Sequence, residues 1–192
     1  SSSFAVGLLL ALHTLRGEDV TPGQLAEEAC HIELDVLKKP IGKQDQYAVA
    51  FGGLNYFEFR KDGRVRVESL WNSLNSSQSI FDASTLYWTG IQRKAEDILG
   101  EQQKNIPDQI ESLHRVSELA DRCRELFLNS NNLVIDVAKL INEGWSYKKN
   151  FASTISSGTL DEIISRALIS GALCSKIVGA GGGGFLYVIA RK

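Results

Sequence analysis

The chain holds 192 residues, enough for one generous domain or two small ones, and its 43% apolar and 23% charged residues are ordinary for a globular protein. A net charge of −2 at pH 7 lacks the basic excess that neutralising many phosphates needs, which argues against a dedicated nucleic-acid surface. The longest apolar stretch, near residues 4–12, is too short to span a bilayer. Three scattered cysteines, Cys30, Cys123 and Cys174, form neither a CxxC pair nor a zinc spacing, and read as reduced, mostly buried thiols of a cytoplasmic protein. Methionine is absent, so Ser1 is not an encoded start, and the reading expects a fragment or a chain that has lost its N-terminal part.

The opening SSSFAVGLLLALHTLRG predicts an apolar helix that begins on small hydroxyl residues and stops at Gly17. TPGQLAEEACHIELDVLKK predicts a second helix ending just before Pro40, with Thr21 as N-cap, Pro22 at the first helical position and Gln24 completing a capping box. IGKQDQYAVAFGG gives a short loop and a helix of small residues. LNYFEFR and RVRVESL then alternate apolar and polar residues around Lys61, Asp62 and Gly63, a strong hairpin signal. NSLNSSQS, residues 72–79, is polar and is the best candidate for a domain boundary.

Beyond it, TLYWTG predicts a short strand leading into the helix IQRKAEDILGEQQKN, and PDQIESLHRVSELADRCRELFLN carries helical periodicity throughout. NNLVIDVAKLINEGW, KKNFASTIS and TLDEIISRALISG read as further helices or turns. The end reads as two strands, CSKIV and FLYVIA, flanking GAGGGG. A helix-rich half with a few strands, without regular alternation, is an α+β pattern.

Three stretches can carry chemistry. Ser1, Ser2 and Ser3 open a helix whose unpaired N–H groups and positive dipole end suit phosphate oxygens, and a serine hydroxyl can ligate magnesium beside them; plain capping is the competing role. Between residues 31 and 53, Glu33 and Asp45 stand twelve positions apart, separated by a helix end and a loop. Asp45, beside Lys43, Gln44 and Gln46, is placed to orient or deprotonate a substrate hydroxyl, with Glu33 behind it as a metal ligand. The competing reading makes Glu33 a solvated helix charge and Asp45 the N-cap of a helix over 46–51. The glycines at 179 and 181–184 are flanked by strands, not by the polar residues of a linker, so close approach of a ligand or another loop explains them best. They match neither a Rossmann nor a Walker pattern.

Together, SSSF, GKQDQYAVAFGG and KIVGAGGGGFLYV resemble the GHMP kinase superfamily, closest to its sugar-kinase branch typified by D-glycero-D-manno-heptose 7-phosphate kinase. LYWTGIQRKAEDIL is similar to that branch's TGI-x-R segment, and the resemblance runs across essentially the whole chain. It implies an α+β, two-domain GHMP kinase-like fold: residues 1–76 as a truncated N-terminal α+β domain that starts inside the phosphate loop, and residues 77–192 as a ferredoxin-like C-terminal domain. It implies ATP and Mg2+ as cofactors, Ser1, Ser2 and Ser3 on the phosphates, and Ser1 with Glu33 on the metal. Asp45 is then the catalytic acidic residue. Gly181, Gly182, Gly183, Lys43 and Arg93 become contacts to the substrate or the phosphate loop, with Lys148 and Lys149 as weaker phosphate contacts.

The implied reaction moves the γ-phosphoryl of ATP to the anomeric hydroxyl of a heptose 7-phosphate, in the full-length parent rather than in this chain alone. A fucokinase- or galactokinase-like acceptor, or a non-catalytic binding or regulatory member, are the alternatives. The partner is a small sugar or sugar phosphate, with no nucleic acid, no membrane, and a homodimer left open.

Overall fold

A computed structural model of the chain describes residues 2–70 and 74–191. It divides into two compact units, Ser1–Trp71 and Asn72–Lys192, each with its own core. The division falls between residues 71 and 72, five positions before the domain limit expected from the sequence.

The first unit runs α1 (Ser2–Arg16), α2 (Pro22–Cys30), a π-helical turn (His31–Val36), α3 (Gln44–Phe51), β1 (Asn55–Phe59) and β2 (Val65–Ser69). The capping box at α2 forms as the sequence predicts: Gln24 N–H donates to Thr21 Oγ1 at 3.2 Å, and Thr21 N–H donates to Gln24 Oε1 at 3.0 Å. The second helix does not continue unbroken to Pro40. After Cys30 it widens into the π turn, and Lys38 then adopts φ 52°, a left-handed conformation rare outside glycine.

Alanine spacing explains how tightly the helices pack. Ala29 sits with Val6 and Leu25 between α1 and α2, while Ala26 and Cys30 pack with Tyr47 of α3 beneath Phe57, Val65 and Val67 of the hairpin. Burial of each large side chain contributes about 1.5–3 kcal/mol. Gly63, at φ 85°, closes the hairpin whose register pairs Phe59 with Val65. The opposite face of α1, with Phe4, Leu8, Leu12 and Leu15, is exposed.

The second unit runs α4 (Leu74–Ala83), β3 (Ser84–Trp88), α5 (Ala95–Asn105), a 3-10 turn (Ile106–Gln109), α6 (Ile110–Asn129), α7 (Leu133–Lys148), α8 (Gly158–Ile169), β4 (Ala172–Ile177) and β5 (Phe185–Ala190). Its three strands pair antiparallel in the order β3-β5-β4, placing the C-terminal strand centrally. The polar stretch read as a boundary is helical from Leu74 onward. Residues 149–157 form turns rather than a helix, and they bury Phe151, Ala152 and Ile155 in a core with Ile98, Trp145, Leu160 and Leu186.

All three cysteines are free, Cys30 and Cys174 fully buried, and burial pushes the Cys30 thiol up to about 11. Among the described residues no helix is long and apolar enough to cross a membrane.

Candidate functional site

In the first unit the π turn carries Glu33 inward, where it is 1% exposed. A buried carboxylate needs partners for its charge, and it has them. Lys39 Nζ donates to Oε1 at 3.1 Å and Gln46 Nε2 donates to Oε2 at 2.7 Å. Lys39 lies just past the turn, and its N–H also donates to the Glu33 carbonyl at 3.0 Å. Gln46 belongs to α3, so this cluster ties the π turn, the loop after it and the first turn of α3 together.

Asp45 precedes Gln46 and is exposed in the first turn of α3, where the helix dipole favours a carboxylate. The helix begins two residues earlier than a cap at Asp45 would require: Lys43 occupies the N-cap position and no side chain caps the helix. The Asp45 carboxylate is therefore not used as the cap. Lys43 lines a cavity of about 400 Å³ with Gly42, Phe59, Arg60 and Val65, and donates to the Gly63 carbonyl at 3.5 Å.

Of the three serines, Ser1 lies outside the described residues. Ser2 is buried in the first turn of α1 and Ser3 is exposed, with no acidic residue in that turn to compete for its N–H groups. The sequence reading names Gln46 only as a neighbour of Asp45 and does not single out Lys39. The signals that point to them are the Lys-Lys before Pro40 and the Asp-Gln pair that opens α3.

Three glycines in the loop of the second unit, Gly181, Gly182 and Gly183, lie against their neighbours with no room for side chains. A Cβ on Gly182, at φ +69°, would lie 2.6 Å from Arg93 Nε and 2.7 Å from the Thr154 carbonyl. On Gly183 it would lie 2.6 Å from the Ile91 carbonyl, and on Gly181 it would lie 2.7 Å from Ile155 Cγ2. Two backbone bonds fasten the loop there, Gly182 N–H to Ile155 O at 2.6 Å and Gly184 N–H to Ile91 O at 2.9 Å. Glu101 in turn holds the 153–154 segment, accepting from Ser153 N–H at 2.7 Å and Thr154 Oγ1 at 3.0 Å. These bonds pull the Glu101 carboxyl below its ordinary range. Lys148 donates to the Gly179 carbonyl at 2.5 Å, which ties it to this loop, while Lys149 is exposed at the end of α7.

Residues 1–53 match the family model described as GHMP kinases N terminal domain. A D-glycero-alpha-D-manno-heptose 7-phosphate kinase from Campylobacter jejuni is 32% identical over 190 residues, covering 97% of this chain and 55% of that protein. A mevalonate kinase from Saccharolobus solfataricus is 26% identical over 191 residues, covering 98% of this chain and 56% of that protein. The crystal structure of a D-glycero-D-manno-heptose 1-phosphate kinase from Bacteriodes thetaiotaomicron matches with a TM-score of 0.68 and 25% identity, over 98% of this chain and 51% of that one. The chain thus spans about half the length of the relatives it matches.

Proposed function

From the premise that this chain is GHMP kinase-like in sequence and in fold, we propose that it contributes the acceptor-activating half of an ATP-dependent sugar kinase. The acceptor is the anomeric hydroxyl of a heptose 7-phosphate. The observation that carries the proposal is Asp45, an exposed carboxylate on the first turn of α3 whose neighbour Gln46 is locked to buried Glu33. An exposed carboxylate on a fixed backbone is what orienting a hydroxyl for attack requires.

In this reading the acceptor hydroxyl donates its hydrogen bond to Asp45. As its oxygen forms a bond to the γ-phosphorus and the bond to the β-phosphate oxygen breaks, the proton passes to Asp45 and ADP leaves. The N–H groups at the start of α1, beside Ser2 and Ser3, serve the phosphates by position and dipole. Magnesium belongs to the same reading as the counter-charge for ATP. Glu33 as placed does not fit that ion, because a lysine ammonium already sits on one oxygen, an amide on the other, and the residue is 1% exposed.

The test is ADP release by the protein that carries this chain, with ATP and heptose 7-phosphate, galactose, fucose or mevalonate as acceptor. Turnover with the heptose phosphate alone supports the reading. Turnover only with mevalonate, or with none of the four, contradicts it.

A further inference from the structure

Arg93 lies on the segment between β3 and α5 and has no ion-pair or hydrogen-bond partner among the described residues; its Nε is buried without one. Burial lowers its pKa from the ordinary arginine value, and no carboxylate stands by to compensate. A partly desolvated guanidinium without a counter-charge is an unstable arrangement unless an anion completes it.

The surroundings point to where that anion sits. Arg93 lines a cavity of about 410 Å³ whose walls include Ala95, Gly183, Gly184, Trp88 and Phe185, and none of its lining residues is acidic. Ala95 is the first residue of α5, which has no side-chain cap, and Glu96 and Asp97 follow it in the first turn, so the helix start adds no net positive charge and Arg93 is the cation of the cavity lining. The glycines keep side chains out of the space, and Trp88 and Phe185, with ring centroids 5.1 Å apart, form an apolar wall beside it.

We propose that this cavity binds a phosphate monoester, its dianion paired with the Arg93 guanidinium and its carbon skeleton against Trp88 and Phe185. A planar guanidinium donates to two phosphate oxygens at once, which a lysine cannot reproduce. The cavity lies wholly within the second unit, and its ligand is named by chemical class alone, independently of the acceptor assigned to Asp45.

The experiment uses the whole chain and follows tryptophan fluorescence, because Trp88 lines the cavity. Glucose 6-phosphate, ADP, inorganic phosphate and glucose are titrated separately at fixed ionic strength. Saturable binding of glucose 6-phosphate and phosphate but not glucose is expected, weakened about 10- to 100-fold by Arg93→Met and partly restored by Arg93→Lys. Binding of ADP but not glucose 6-phosphate assigns the site to the nucleotide and overturns the sugar-phosphate form. Absence of binding in the wild-type chain, or binding indifferent to both substitutions, overturns the site altogether.

Should Arg93→Met fail to fold, Arg93→Lys and the wild-type titration still decide the matter. These measurements need no turnover. Binding without kinase activity contradicts the kinase reading alone, and kinase activity without Arg93-dependent binding contradicts this inference alone.

Discussion

Gln46 donates its side-chain amide to the Glu33 carboxylate across 2.7 Å, with both residues buried, and so joins the π turn to the helix that presents Asp45. Gln46→Leu removes that donor from a buried carboxylate. The expected loss is about 1.5–3 kcal/mol of unfolding free energy, read from urea denaturation. Lys39→Met removes the lysine counter-charge from the buried carboxylate instead and is expected to cost about 3 kcal/mol. A loss below a few tenths of a kcal/mol in both variants contradicts the tie.

The glycine loop separates two costs that are usually mixed. Gly184 has φ +84° but open space around its missing Cβ, so Gly184→Ala is expected to cost only the left-handed backbone term, about 1–2 kcal/mol. At Gly182 the same change adds a collision with Arg93, Ile98 and the Thr154 carbonyl, and overpacking brings about 1–3 kcal/mol more. Chemical denaturation of the two variants side by side checks the difference. Equal losses contradict the packing described for Gly182.

Much of this organisation was legible beforehand because local chemistry specifies it. Thr21, Pro22 and Gln24 announce the start of α2, and Asp62 with Gly63 announces the hairpin, through interactions only a few residues apart. The π turn was not legible. A continuous helical pattern through residues 31–36 hides it, and it is stabilised by Lys39 and Gln46, six and thirteen residues beyond Glu33. Helix α4 is hidden for a related reason: its serines and its one asparagine carry turn chemistry, and its packing against α7 and the sheet overrides it. The glycine loop was readable as a place of close approach, but only the fold identifies Ile91, Arg93 and the 154–155 backbone as what approaches.

A charge cluster links α1 to α2 and makes stability depend on pH. His13 meets Glu18 and Glu28, each at 2.8 Å, and these bonds, Glu28 first, raise its pKa above the ordinary 6.5. Its contribution is therefore complete below pH 6.5 and is lost as pH rises through the raised folded value. Glu18, pulled below 4.5 chiefly by His13, contributes above that pH and loses its contribution as pH falls through the lowered value. The cluster thus stabilises most between about pH 4.5 and 6.5. The melting-temperature gap between wild type and His13→Gln is expected to be widest at pH 6 and to shrink by pH 8.5. A gap independent of pH contradicts the assignment.

In the proposed reaction Asp45 activates a sugar hydroxyl for phosphoryl transfer. The most direct measurement is the rate of heptose 7-phosphate-dependent ADP release by the protein carrying this chain, wild type against Asp45→Asn, with circular dichroism confirming an unchanged fold. Asp45 is exposed and does not cap α3, so the substitution leaves the structure intact. The expected result is a fall in kcat of about 10²–10⁴-fold with little change in KM. An Asp45→Asn enzyme that turns over at the wild-type rate contradicts the account.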